Sequence, residues 1–152
     1  MQRMVMLSDV FDVAERIELL AARQYELLAS RFQNEEEAFD LFERLRCEEL
    51  QHVERVRMAR RRAAVRRRVV PGLDQLMGKL NPLLAEAEKL VAHIEGSQGD
   101  MPFDRAKWLM LHMEEKLAAA HAEAITAVVD EDMKQFFELL ASQDKAHTQL
   151  LR

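Results

Sequence analysis

Only four glycines and three prolines interrupt the 152 residues of the chain, so little in it forces the backbone to turn. Ala, Leu, Glu, Arg and Gln dominate what lies between them, and these are strong helix formers. β-Branched and aromatic residues, which favour strands, are sparse. The expected fold class is all-α. A chain of 152 residues suits one domain, with a core large enough to need no covalent staple.

Four stretches carry the helical period. The first runs over about residues 8–32, with Ser8 as N-cap and Phe11, Ala14, Ala21, Leu28 and Phe32 on one face. The second, 34–68, opens at Asn34, where Glu37 completes a capping box. Its apolar stripe is Phe42, Leu45, Val53 and Val56, and Pro71-Gly72 ends it. Asp104 caps a third helix, 104–129, and Asp130 a fourth, 130–152, which carries Phe136, Phe137, Leu140 and Leu151. Residues 69–103 form a long connection that reads as partly helical, with Pro82 as a break.

Almost nothing joins the first helix to the second or the third to the fourth, so each pair must be an antiparallel hairpin. The connection of about 35 residues is long enough to cross the length of a bundle before the next hairpin begins. An antiparallel four-helix bundle of two hairpins with one crossover follows, as a single domain over 1–152.

The formal net charge of −5 argues against a molecule built as a whole around nucleic acid or an anionic surface. Cys47 is the only cysteine, which excludes an internal disulfide and any CxxC site in this chain. No apolar run reaches the roughly 18 residues of a membrane span. Asp9 and Asp12 come too early for a signal peptide. The expectation is a soluble, cytoplasmic protein.

Glu49 and His52 stand three residues apart on the second helix, and Asp144 and His147 on the fourth. That spacing puts a carboxylate and an imidazole on one helix face, where they can bind one metal centre together. Glu18 lies 31 residues before Glu49 and Glu114 lies 30 before Asp144, and both midpoints fall at or beside an expected turn. Residues equidistant from a hairpin turn sit at equal height. Each hairpin therefore sets a lone Glu level with a carboxylate-x-x-His, and the hairpins repeat one another: 34 residues from Glu18 to His52, 33 from Glu114 to His147. All six residues lie on apolar stripes, where charge is costly unless paired or metal-bound. Two divalent cations resolve the repulsion. Carboxylates with imidazole suit iron or manganese, with zinc a further option. Glu15 and Glu115 are the neighbours that take over if the helical phase is one position off.

One Glu from each of two helices with Glu-x-x-His from the other two resembles the di-iron carboxylate motif of ferritin-like proteins. The phrase from Glu18 to Tyr25, a Tyr seven residues after the first Glu, looks like the rubrerythrin branch. The resemblance covers nearly the whole chain. It implies two iron ions, with Glu18 and Glu114 as mostly terminal ligands, Glu49 and Asp144 as bridging ligands, and one nitrogen each from His52 and His147. Three departures stand out. Asp144 is one methylene shorter than the usual Glu. Leu117 occupies the place where rubrerythrins carry an extra Glu, which puts their peroxide-linked ligand exchange in question. The rubredoxin domain is missing, so electrons or Fe(II) must come from an external donor.

Tyr25 and His121 each follow their Glu by seven residues, about 10 Å along the helix, which argues against ligation. A hydrogen bond to a ligand is one role open to them, and a core aromatic with a polar tip is the commoner one for Tyr25. His93 and His112 have no acidic residue three before them and read as surface or packing residues. Eight arginines fall within residues 55–68. A solvated helix end accounts for them, and binding of nucleic acid through them is a lesser alternative.

The resulting expectation is a small di-iron oxidoreductase of peroxidase or ferroxidase type, active against oxidative stress, that reduces peroxide or O2 or oxidises Fe(II). A homodimer using the 73–103 region is the expected assembly. The alternatives are a helical protein that binds metal without turnover or has a degraded site, and a scaffold or nucleic-acid partner working through its arginine-rich helix.

Overall fold

The computed structural model describes residues 3–66, 70–97 and 99–152, and the backbone alone at Arg66. Five long helices make up the described chain: α1 (Leu7–Arg31), α2 (Glu36–Arg66), α3 (Leu73–Gly96), α4 (Phe103–Ala127) and α5 (Glu131–Leu151). None is long and apolar enough to cross a membrane.

Local hydrogen bonds set the helix starts. Asp130 caps α5 as expected, its side chain accepting the Met133 N–H at 3.0 Å. At α1 the cap moves from Ser8 to Met6, because Asp9 reaches back to accept the Met6 N–H at 2.8 Å. Pro102 rather than Asp104 is the N-cap of α4. The first bond of α2 runs from the Phe39 N–H to the Glu35 carbonyl, one residue beyond Asn34. Residues 67 and 68, the expected end of that helix, lie outside the described residues.

The largest correction concerns the crossover. The 69–103 connection is partly helical, as the sequence suggests, but Pro82 does not break it: α3 is a single helix of 24 residues with Pro82 inside it. Proline costs a helix one hydrogen bond and crowds the preceding turn. Burial outweighs that cost here, since Leu76, Leu80, Leu83 and Ala87 all sink into the core. Gly72 starts α3 at φ +84°, and a Cβ there would stand 2.4 Å from the Ala127 carbonyl oxygen. Only glycine fits a position that needs both the left-handed backbone and that close approach.

Ion pairs fix the directions. Arg16 pairs with Glu88 and Arg23 with Glu95, the same offset of 72 residues, so α1 and α3 run the same way. Lys79 with Glu123 and Lys116 with Glu86 set α3 antiparallel to α4. Arg31 closes the far end of α3 by donating to the Ile94 and Ser97 carbonyls. Each hairpin, α1–α2 and α4–α5, is antiparallel, as contacts such as Glu15–Arg57 and Arg152–Glu115 show.

The apolar core comes in two blocks. One gathers Phe11, Ile17, Val56, Leu117, Phe137 and Leu140. The other gathers Tyr25, Leu28, Phe42, Leu45, Met110 and Leu151. On all four hairpin helices the boundary between the blocks falls at the same level, and buried charged residues fill it.

Candidate metal centre

Glu18, Glu49, His52, Glu114, Asp144 and His147 are all buried, none more than 2% exposed. They occupy the layer between the two apolar blocks. In each hairpin helix the residues a turn away on either side are core: Ala14 and Ala21 around Glu18, Leu45 and Val53 around Glu49. The amphipathic period that buries α1 and α2 thus carries the carboxylates inward with it. On α4 the deepest line runs through Met110, Glu114, Leu117 and His121, while Leu111 and Ile125 sit at its edges.

Two groups emerge. Glu18, Glu49 and His52 bring ligand atoms within 4.8 Å of one another, and so do Glu49, Glu114 and His147. Glu49 belongs to both. His52 Nδ1 lies 3.4 Å from Glu18 Oε2 and 3.1 Å from Glu49 Oε2. His147 Nδ1 lies 3.2 Å from Glu114 Oε1 and 3.0 Å from Glu49 Oε1, the latter off the line of a hydrogen bond. The two imidazoles stack at 5.1 Å between centroids with an interplanar angle of 13°.

Asp144 stands apart. It belongs to neither group, and its Oδ2 lies 2.6 Å from His121 Nδ1. Tyr25 donates its hydroxyl to Glu114 Oε1 at 2.7 Å, reaching across to α4 rather than back along its own helix to Glu18. Both residues therefore hold a carboxylate of the layer by hydrogen bonding. Glu15 and Glu115, the alternatives to Glu18 and Glu114, are in surface ion pairs with Arg57, Arg60 and Arg152. His93 and His112 are exposed, and Leu117 is core.

Glu48 is the residue that the spacing argument passed over. Its Oε2 lies 2.9 Å from His147 Nε2, and its side chain remains 31% exposed. Glu48 precedes Glu49 and projects about 100° round the helix, toward α5. The adjacent pair Glu48-Glu49 was the available signal, but it identifies a partner only once α5 is placed beside α2.

The charges are balanced by protons. Burial works against charge on Glu18, yet His52 and the hydrogen bond with Glu49 hold its carboxyl down to about 2. Burial and the Glu114 and Glu18 charges push Glu49 well above the usual carboxylate range. Asp144 rises to about 6, chiefly through burial and against the pull of His121. Burial disfavours the His147 imidazolium, but Glu114 and Glu49 outweigh it and raise that group to about 10. Tyr25 is pushed well up by burial and then by the Glu114 charge.

Chain comparison adds no relative. No protein-family model matches the sequence, nor does any curated protein or solved structure.

The donor set itself fits a cation. Glu18 Oε1, Glu49 Oε1, Glu114 Oε2 and Asp144 Oδ1 are buried oxygens without a hydrogen-bond donor. Each such orphan costs about 1–3 kcal/mol. Four of them in one layer, with imidazoles interleaved, make a set that divalent cations satisfy and protons satisfy only in part.

Proposed function

We propose that the chain is a ferritin-like di-iron redox protein of rubrerythrin type, binding one ion in each buried triad with Glu49 shared between them. The observation that carries this reading is the double membership of Glu49: one carboxylate within reach of two separate Glu–His pairs drawn from both hairpins. The two-hairpin topology supports the ferritin-like assignment, with α3, parallel to α1, as the crossover that carries the chain from the end where α2 finishes to the opposite end, where α4 begins.

Glu18 and His52 hold one position, and Glu114 and His147 the other. Iron held there would supply one-electron chemistry toward peroxide or O2, and manganese or zinc would suit the same donors without fixing that chemistry. The rest is the work of the protein. Tyr25 orients Glu114, His121 orients Asp144, and the apolar blocks above and below keep bulk water out. Partly exposed Glu48 accepts a hydrogen bond from the His147 Nε2–H, which keeps the proton on that nitrogen and leaves Nδ1 as the one that would ligate. Fe(II) or peroxide is the small substrate, an external donor supplies electrons, and the working unit is a cytoplasmic homodimer.

The hold of His121 on Asp144 favours one other reading, a site that binds metal without turnover, because it withdraws a carboxylate that the rubrerythrin-like scheme uses as a bridge. Loading with Fe(II) under anaerobic conditions, followed by stoichiometric peroxide, separates the two. A redox site develops near-ultraviolet absorbance and consumes the peroxide. A passive site keeps its iron and leaves both unchanged, which would sink the enzyme reading while sparing the metal centre.

A further inference from the structure

Beyond the buried layer, residues of α2 and α5, with Phe11 of α1, line a groove of about 410 Å³. That volume lies within the range of small-molecule sites. Its floor is apolar, made of Phe11, Met133 and Phe136. Met58 and Leu139 form its lip and are 44% and 45% exposed, an arrangement that water does not favour.

Two arginines border the same groove. Arg55 and Arg62 are seven residues apart on α2, so they share a face about 10 Å apart along the axis. Of the other described arginines of this stretch, Arg57 bonds Glu15 and Glu54 and Arg60 bonds Glu15 and Asp12, while Arg61 is exposed and does not line the groove. Arg55 and Arg62 make no ion pair or hydrogen bond with any described residue. Asp132 also lines the groove and is itself already engaged in an interaction.

We propose that this groove binds a single-chain anionic amphiphile, a medium-chain fatty carboxylate in free form. The alkyl tail lies on Phe11 and Phe136, where Met58 adapts its unbranched side chain to it. The head group meets the arginine fork, whose planar donors match a carboxylate. A second copy of the chain suits the groove less well, because a two-fold contact there brings the same arginines toward one another. The site shares no residue with the metal-binding layer and stands without it.

Isothermal titration of the full chain with dodecanoate, below its micelle concentration, tests the proposal. Saturable binding at one site per chain is expected, with 1-dodecanol binding more weakly. The double variant Arg55→Gln/Arg62→Gln should lose about tenfold in affinity, in line with removal of charge-assisted hydrogen bonds. Leu139→Glu, which sets a like charge on the exposed lip, should weaken binding independently, and circular dichroism checks that each variant is folded. Equal affinity in parent and variants overturns the proposal. So does retention only on phosphatidylglycerol vesicles with no binding of the monomeric amphiphile, or a ligand-independent dimer that Leu139→Glu dissolves.

Discussion

Glu49 on the first hairpin and His147 on the second approach to 3.0 Å between Oε1 and Nδ1, so the two halves of the chain meet through a carboxylate and an imidazole rather than through apolar side chains alone. Both groups are buried, and a buried charged contact of this kind contributes little net stability. Its presence in the core is understandable if the layer is held for metal.

His52 serves one triad only. His52→Ala should abolish one metal position and leave the Glu114–His147 side able to bind, with helicity by circular dichroism unchanged. Metal analysis after dialysis reads the ratio. Collapse of the fold with full metal uptake retained would mean that the residue is structural.

Tyr25→Phe removes the hydroxyl donor to Glu114 Oε1 and leaves that buried oxygen with His147 Nδ1 as its remaining partner. A loss of about 10-fold or more in metal affinity is expected from a missing ligand-orienting hydrogen bond. Competition with a chromophoric chelator measures it. Unchanged affinity would show that Glu114 needs no such support.

Glu48→Gln keeps the shape of the side chain but weakens its hold on His147 Nε2. Metal affinity should again fall by about tenfold, while thermal stability changes little because Glu48 is partly exposed. A variant with parent affinity would place Glu48 outside the working site.

Stripped of metal by chelator, the protein should lose stability as pH rises. His147 is raised from 6.5 to about 10, so the stability that its proton contributes is complete below pH 6.5 and is lost as pH climbs through 10. Asp144, raised from 3.8 to about 6, acts in the same direction at lower pH. Metal-loaded protein should behave in the opposite way over pH 5–8, because ligation requires these groups to shed protons. Urea midpoints across that range, with and without metal, test the contrast. Parallel curves would contradict it.

Gly72→Ala probes the fold away from the centre. The φ of +84° and the 2.4 Å approach to the Ala127 oxygen predict a destabilisation of about 1–3 kcal/mol by urea unfolding.

Much of the arrangement was legible in the sequence because it depends on local periodicity. Phe11, Ala14, Phe42, Leu45 and Leu140 are core because their spacing puts them there, and Glu18, Glu49, Glu114 and Asp144 share those stripes. What was not legible depends on tertiary packing. Pro82 looked like a break because its local cost is plain, whereas the burial of Leu76 to Ala87 that offsets it exists only once α3 lies on α1 and α4. The turn of Asp144 toward His121 and the reach of Glu48 to His147 likewise depend on side-chain directions that spacing leaves open.

Counting metal in Glu49→Ala against the parent chain, both loaded anaerobically with Fe(II) and freed of excess, is the most direct test of a shared carboxylate. The parent should retain two ions per chain, one for each triad, and the variant should retain close to none. Two ions retained by the variant, or fewer than one by the parent, would contradict a centre built around Glu49.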